Sequence, residues 1–426
     1  MSKIVKSSKI ISPFGGISLV FQEFNNLNLP QLIDNHLGSR GLKGISNSCL
    51  FQNWLGIFFC GGKVAEDIQY HLADTLSQEP NFKKVSSTTL LRGLNDLSVD
   101  NKIINSSTNN NYDFNINNSM NDLNIKLLLK TKQLLPQHYY DLDYDNQIIE
   151  HNKYDAKRTY KKTKGYCPAI ATIGDKVVYI ENRDGNANVK VDQHNTLTRT
   201  YKLLDHNNIK INRSRMDAGS YSKDIIEVVA NNSKQFYIRA NRSQNVAEQI
   251  KSIEQWEDIE LNYKQYQVAS LKFTQFFEDK NYRLVIMREK SSTLQIDAFT
   301  GDNFSYRSIL TNDHKSTELE VIQYYNQRGA SEKIFDVMNN DFGWSRLPCS
   351  DMHKNTVFLI LTAMIKNFYN HMVAKVSKVF KDIKPTSRLK KFIFSFISVA
   401  SKWIKNSRQH KLILYTNKDY DRLNII

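Results

Sequence analysis

The stretch "YYDLDYDNQ", residues 139–147, places Asp141, Asp143 and Asp145 at alternate positions between aromatic and apolar neighbours. Strand side chains alternate between faces, so all three carboxylates share one side of a β-strand. Aspartate is disfavoured in strands. The pattern therefore marks either a solvated edge or a face that holds a metal, and parity alone does not say which aspartate would bind it.

The segments that follow place this strand in a sheet. "CPAIATIG" (167–174) and "KVVYIENRDG" (176–185) read as two more strands joined at Gly174-Asp175, a dipeptide that hairpin turns favour. "HNTLTRTYKLLDHNN" (194–208) has helical apolar spacing, and "IKINRSRMDAG" (209–219) is a strand running into a turn. "SKDIIEVVANN" (222–232) is a capped helix and "QFYIRANRS" (235–243) a further strand. The order β-β-β-α-β-α-β is that of the ribonuclease H-like fold, a mixed sheet whose first and fourth strands lie side by side. Asp217, at the end of the fourth strand, can then approach the aspartates of the first.

The rest of the chain divides around this core, expected over 126–244 and 316–375. Residues 1–100 read as a helical DNA-binding region, in which "VSSTTLLRGLNDL" (85–97) suits the second helix of a helix-turn-helix with Arg92 outward, or an ordinary capped surface helix. Residues 101–124 hold ten asparagines and no glycine or proline, so 101–125 is expected to be a linker or long surface loop. Residues 245–315 read as a separate β-rich insertion. "STELEVIQYYNQRGASEKIFDVMNND" (316–341) reads as one long helix, and 376–426 as a basic helical region.

A formal charge of +15, from 58 basic against 43 acidic residues, favours a polyanionic partner. The apolar run "VFLILTAMI" (357–365) is half the length a membrane helix needs and reads as a core helix, so nucleic acid is expected rather than a membrane. The N-terminus is basic but lacks a secretory apolar region, and the four cysteines have neither CxxC spacing nor disulfide-scaffold density. These features suit a reducing cytoplasm.

Tyr325, Arg328 and Glu332 stand three and four residues apart, which on a continuous helix stacks them on one face. A carboxylate, a guanidinium and a phenol suit a phosphodiester site; a solvated face with an Arg–Glu pair has the same spacing. Together, "LDYDN", "MDAGSYS" and "YNQRGASE" resemble the three motif regions of bacterial insertion-sequence transposases of the DDE class, in the cut-and-paste group with the Tyr-Arg-Glu-Lys signature. The second region matches through Asp217, Ala218, Gly219 and Tyr221, with one extra residue; the third matches through Tyr325, Arg328 and Glu332, with Asn339 at the lysine position.

The resemblance implies Asp145, Asp217 and Glu332 as catalytic ligands of two Mg²⁺ ions, with Mn²⁺ as substitute, and Asp143 as the fallback for Asp145. It implies Tyr325 and Arg328 as contacts to DNA, nicking at the element's ends, strand transfer into a double-stranded target, and a homodimer in the synaptic complex. The location implied is the bacterial cytoplasm, at the nucleoid. "KYDAKRTYKKTKGY" (153–166) would track phosphates through Lys157, Arg158, Lys161 and Lys162, or is a solvated basic hairpin. Trp256 reads as a core residue, with stacking on an unpaired base as the alternative, and His151 lacks a ligand partner at metal spacing. The competing functions are another ribonuclease H-like endonuclease and a non-catalytic DNA-binding protein derived from a transposase.

Overall fold

In a computed structural model of the chain, the residues described are 3–5, 10–38, 40, 44–106, 109–277, 279–291, 301–407 and 409–423. The asparagine-rich segment supplies β1 (Lys102–Asn105) and β2 (Asn111–Asn115), and the aspartates lie on β3 (Tyr139–Asn146). Three short strands, β4 (Ile149–Glu150), β5 (Lys157–Arg158) and β6 (Lys164–Tyr166), make a small sheet of their own from the basic loop. β7 (Ala169–Ile173) and β8 (Lys176–Arg183) complete the expected meander. Helices Gln193–His206 and Lys223–Asn232 lead into β9 (Lys210–Met216) and β10 (Gln235–Arg239). Then come β11 (Glu257–Leu261), β12 (Lys264–Phe273), β13 (Tyr282–Lys290) and β14 (Phe304–Thr311). After three helices, Glu318–Asn326, Ala330–Asp341 and Met352–Val376, the chain closes on a hairpin of β15 (Ser401–Asn406) and β16 (Gln409–Leu414).

Eleven strands form one mixed sheet in the order β1-β2-β8-β7-β3-β9-β10-β14-β13-β12-β11. β3 and β9 are parallel neighbours, as the element order leads one to expect, so their C-terminal ends coincide. Leu142 and Tyr144 point into the apolar core with Met216, Ile225 and Val229, which leaves the three aspartates on the opposite face. Each such fully buried side chain contributes roughly 1.5–3 kcal/mol, and slipping β3 by one residue would turn the carboxylates into the apolar core.

Three readings of the chain are corrected. Residues 101–125 are not a linker: β1, β2 and the helix Asn118–Lys130 occupy them, with Asn115, Asn117, Asn121 and Asn124 buried. The asparagines serve as edge caps. β2 pairs with β8 only at Phe114↔Arg183 and Asn115↔Asn182, so the rest of that edge needs other partners. Asn121 accepts from the Ile180 N–H at 2.9 Å and donates to its carbonyl at 2.8 Å, and Asn124 donates to the Val177 carbonyl at 2.8 Å.

The β-rich insertion is not a separate unit, because β14 pairs with the free edge of β10 and carries β11–β14 into the main sheet. The C-terminal region is helical only in the short segments Leu389–Phe392, Ile393–Ile397 and Tyr420–Arg422 among its described residues; the stretch between them forms the β15–β16 hairpin, where Ser407 takes the left-handed turn conformation at φ 56°. The N-terminal helices share one core with Met352–Val376: Trp54 and Phe58 lie with ring centroids 5.4 and 6.5 Å from Phe358. That 25-residue helix is long and apolar enough to cross a membrane, but 83% of its most apolar window is buried against the protein.

Candidate active site

The site grows out of a ladder between β3 and β9. "DLDYD" (141–145) runs parallel to "RSRMD" (213–217), with Asp141 opposite Arg213 and Asp143 opposite Arg215. Arg213 donates to both oxygens of Asp141, with Nε at 3.0 Å from each and Nη2 2.5 Å from Oδ2. Arg215 grips Asp143 in the same forked way, at 2.6 and 2.7 Å. Tyr324 lies against both arginines, its ring 3.9 Å from the Arg213 guanidinium and 4.6 Å from that of Arg215, and its carbonyl accepts from Arg215 at 2.8 Å. Burial pushes the Asp143 carboxyl above its usual range, against the opposing pull of Arg215. Asp141 and Asp143 are thus already satisfied by arginines.

The end of the ladder, just past the last pair Tyr144↔Met216, differs. Asp145 and Asp217 are two carboxylates at the shared end of the strands, with no arginine between them from either strand. Burial raises the Asp217 pKa, and the neighbouring Asp145 charge raises it further. Arg328 and the backbone N–H groups of Gly219 and Ser220 pull the other way. Those amides come from the 3₁₀ turn Ala218–Ser220. A Cβ on Gly219 would lie 2.8 Å from Val189 Cγ2 and 3.0 Å from Asp217 Oδ1, so the turn reaches the carboxylate only with glycine there. Arg328 Nη1 donates to Asp145 Oδ2 at 2.9 Å.

The expected single helix over 316–341 is interrupted. It starts at a capping box of Thr317 and Glu320, ends at Asn326, passes through a 3₁₀ turn Gln327–Gly329, and resumes as Ala330–Asp341. Gly329 is a weak helix former, and Arg328 is held toward Asp145 from within that turn. Tyr325, Arg328 and Glu332 consequently do not share one continuous helical face. Tyr325 is half-buried, and its hydroxyl donates to the Met216 carbonyl at 3.1 Å, pinning the helix end beside Asp217. Glu332 lies exposed in the first turn of the second helix. The structure brings Asp145, Asp217, Arg328 and Tyr325 together and leaves Glu332 outside that group. Among the described residues no three His, Cys, Asp or Glu side chains are placed to share a metal.

Lys157, Arg158, Lys161 and Lys162 are all exposed on the small sheet and its turn. Cys167 feels the charges of both Lys161 and Asp145, which places this basic loop beside the carboxylate pair. Arg92 is exposed on the helix Ser87–Asp96, whose Leu90, Gly93 and Leu94 face inward. Trp256 is half-buried beneath the Arg288 guanidinium, 3.9 Å from its ring, so that face is covered. His151 packs on Tyr166 with centroids 4.1 Å apart, and burial lowers its pKa to about 4. It is a neutral structural histidine.

Asp145 and Asp217 offer hard oxygen donors of the kind Mg²⁺ and Mn²⁺ take, and the like-charge rung lacks a strand-borne cation that a divalent ion would replace. Arg213 and Arg215 are the residues that sequence reasoning missed. Their signal was present: "RSRMD" repeats the alternation of "DLDYD" in the strand expected to lie beside it.

No curated protein matches the sequence. Among solved structures, the piggyBac transposase in its synaptic complex with hairpin DNA aligns at TM-score 0.43 and 12% identity, over 90% of this chain and 77% of that one. The family model described as transposase DDE domain group 1 matches residues 69–423. That span is most of the chain, and the protein belongs to this family of DDE transposases.

Proposed function

We propose that this DDE transposase has a ribonuclease H-like core, binds the ends of its own insertion sequence, cuts them and joins them to target DNA. Its setting is the bacterial cytoplasm, and a homodimer brings the two ends together. The observation that carries the reading is the Asp145–Asp217 pair: two neighbouring carboxylates one residue past the last parallel pair, Tyr144↔Met216, in a ladder whose earlier rungs are neutralised by Arg213 and Arg215. Ligands in open α/β sheets gather at such carboxyl ends.

Asp145 and Asp217 would hold a divalent cation, Mg²⁺ or Mn²⁺, two per complete site, with Glu332 as the third ligand. Such ions supply a Lewis acid that activates water or a 3′-hydroxyl and stabilises the leaving oxygen. Tyr325, bonded to the Met216 carbonyl, fixes the turn that carries Arg328 beside the carboxylates. Lys157, Arg158, Lys161 and Lys162 neutralise phosphates of the duplex entering over the small sheet, and Arg92 adds a contact from the N-terminal helices.

The test is linear DNA carrying the element's ends, incubated with the purified protein and Mg²⁺. Cleavage is expected with the wild type and a loss of at least a hundredfold with Asp145→Asn, Asp217→Asn or Glu332→Gln. Ends left intact by the wild type would defeat the catalytic reading. One observation favours a second reading, a DNA-binding protein without cleavage activity: Glu332 is exposed and stands apart from the aspartate pair. Cleavage that survives Glu332→Gln but not Asp145→Asn would remove Glu332 from the ligand set and keep the enzyme.

A further inference from the structure

The β3–β9 ladder is neutral for two rungs and then changes sign. Arg213 and Arg215 come from the strand itself, whereas the cation on Asp145 comes from 183 residues away in sequence, on the turn Gln327–Gly329. Arg328 and Asp145 are both mostly buried, 19% and 18% exposed, so their charges are only partly screened by water.

Two carboxylates and one guanidinium leave a single net negative charge. A dication added with the guanidinium still in place would leave a net positive charge in a half-buried site, while a dication in exchange for it would leave none. The guanidinium also sits on Asp145 Oδ2, one of the oxygens a metal needs. Its carrier is a three-residue 3₁₀ turn between two helices, fixed beside the site by the Tyr325 hydroxyl, so the exchange needs only the Arg328 side chain to swing.

We propose that Arg328 is an exchangeable counter-ion: it holds Asp145 while the site is free of metal and leaves it when a divalent cation binds Asp145 and Asp217. Cation binding then releases a guanidinium, on a turn pinned by Tyr325, toward a phosphate oxygen of the DNA. Arg328 is in this sense a positioning residue whose presence weakens metal binding in the absence of DNA. The inference rests on the reading of Asp145 and Asp217 as metal ligands.

The experiment is calorimetric titration of the DNA-free, full-length protein with Mn²⁺. Arg328→Gln is expected to bind Mn²⁺ about tenfold more tightly than the wild type, the scale of one charge-assisted hydrogen bond no longer broken. Equal or weaker binding would overturn the proposal, since an arginine that merely props Asp145 in place lowers affinity when removed. Arg328→Met, which removes the charge but keeps an unbranched side chain, covers the case in which the glutamine variant does not fold; it should also bind more tightly than wild type, and equal or weaker binding again overturns the idea. Asp145→Asn and Asp217→Asn separate the two levels of the argument. Should both bind Mn²⁺ as the wild type does, the metal site itself is refuted, whatever Arg328 does.

Discussion

Replacing Asp143 and Asp145 in turn by asparagine tests the ladder most directly, because the two residues share a strand face but have different partners. Asp143 is buried, its side chain 5% exposed and that of Arg215 10% exposed. Asp143→Asn keeps the shape but strands a buried guanidinium. Breaking a buried pair by removing one partner costs about 3–5 kcal/mol. Arg215 retains the Tyr324 carbonyl at 2.8 Å and the Tyr324 ring, which puts the expected loss near the lower end, about 3 kcal/mol.

Asp145→Asn gives up the contact to Arg328 but relieves repulsion against Asp217, in a rung about one-fifth exposed. The two effects nearly cancel, so stability should move by no more than about 1 kcal/mol. Urea unfolding at neutral pH reads the first quantity, and Mn²⁺ titration the second. Asp143→Asn should lose stability and keep the metal; Asp145→Asn should do the reverse. An Asp145→Asn protein less stable than Asp143→Asn, or loss of Mn²⁺ binding in Asp143→Asn with its fold intact by circular dichroism, would refute the assignment of roles along the strand.

Three further outcomes are expected. Asn121→Leu leaves the Ile180 N–H and carbonyl unpartnered in the core, which should cost about 2–4 kcal/mol in urea unfolding; a change below 1 kcal/mol would deny that asparagines cap the β8 edge. Asp184 is buried, and that burial pushes its pKa up to about 6, so the fold favours the protonated form. Its contribution is full below the ordinary carboxylate range and is lost as pH rises through about 6, so wild-type stability should fall between pH 4.5 and 7.5 by roughly 2 kcal/mol more than that of Asp184→Asn. Changing Lys157, Arg158, Lys161 and Lys162 together to alanine should weaken duplex binding. In fluorescence anisotropy it should flatten the slope of log affinity against log salt by roughly 3–4, at about 0.9 per lost phosphate contact; an unchanged slope would remove this loop from the DNA surface.

Local pattern was enough for the strand of aspartates, the meander and the two parallel strands that follow, because period-two alternation and helical spacing are written in neighbouring residues. The adjacency of β3 and β9 followed from element order, and with it the meeting of Asp145 and Asp217. Composition misled in the segment 101–125, where asparagine reads as solvent-facing. Its amide can pair equally well with a strand edge, and only the packed fold supplies the edge. Likewise β14 pairs with β10 across a long separation in sequence, which no local window contains.

The sequence by itself determined that three carboxylates would share one face near a fourth. Which of them lacks an arginine from the neighbouring strand was decided by tertiary structure. Register in a parallel sheet hands Arg213 to Asp141 and Arg215 to Asp143, while Asp145, one rung on, meets Asp217 and must borrow Arg328 from a distant turn. Charge neutrality within a poorly hydrated site, a property of the assembled neighbours rather than of any one segment, separates the aspartates held by strand-borne arginines from the one proposed as a metal ligand.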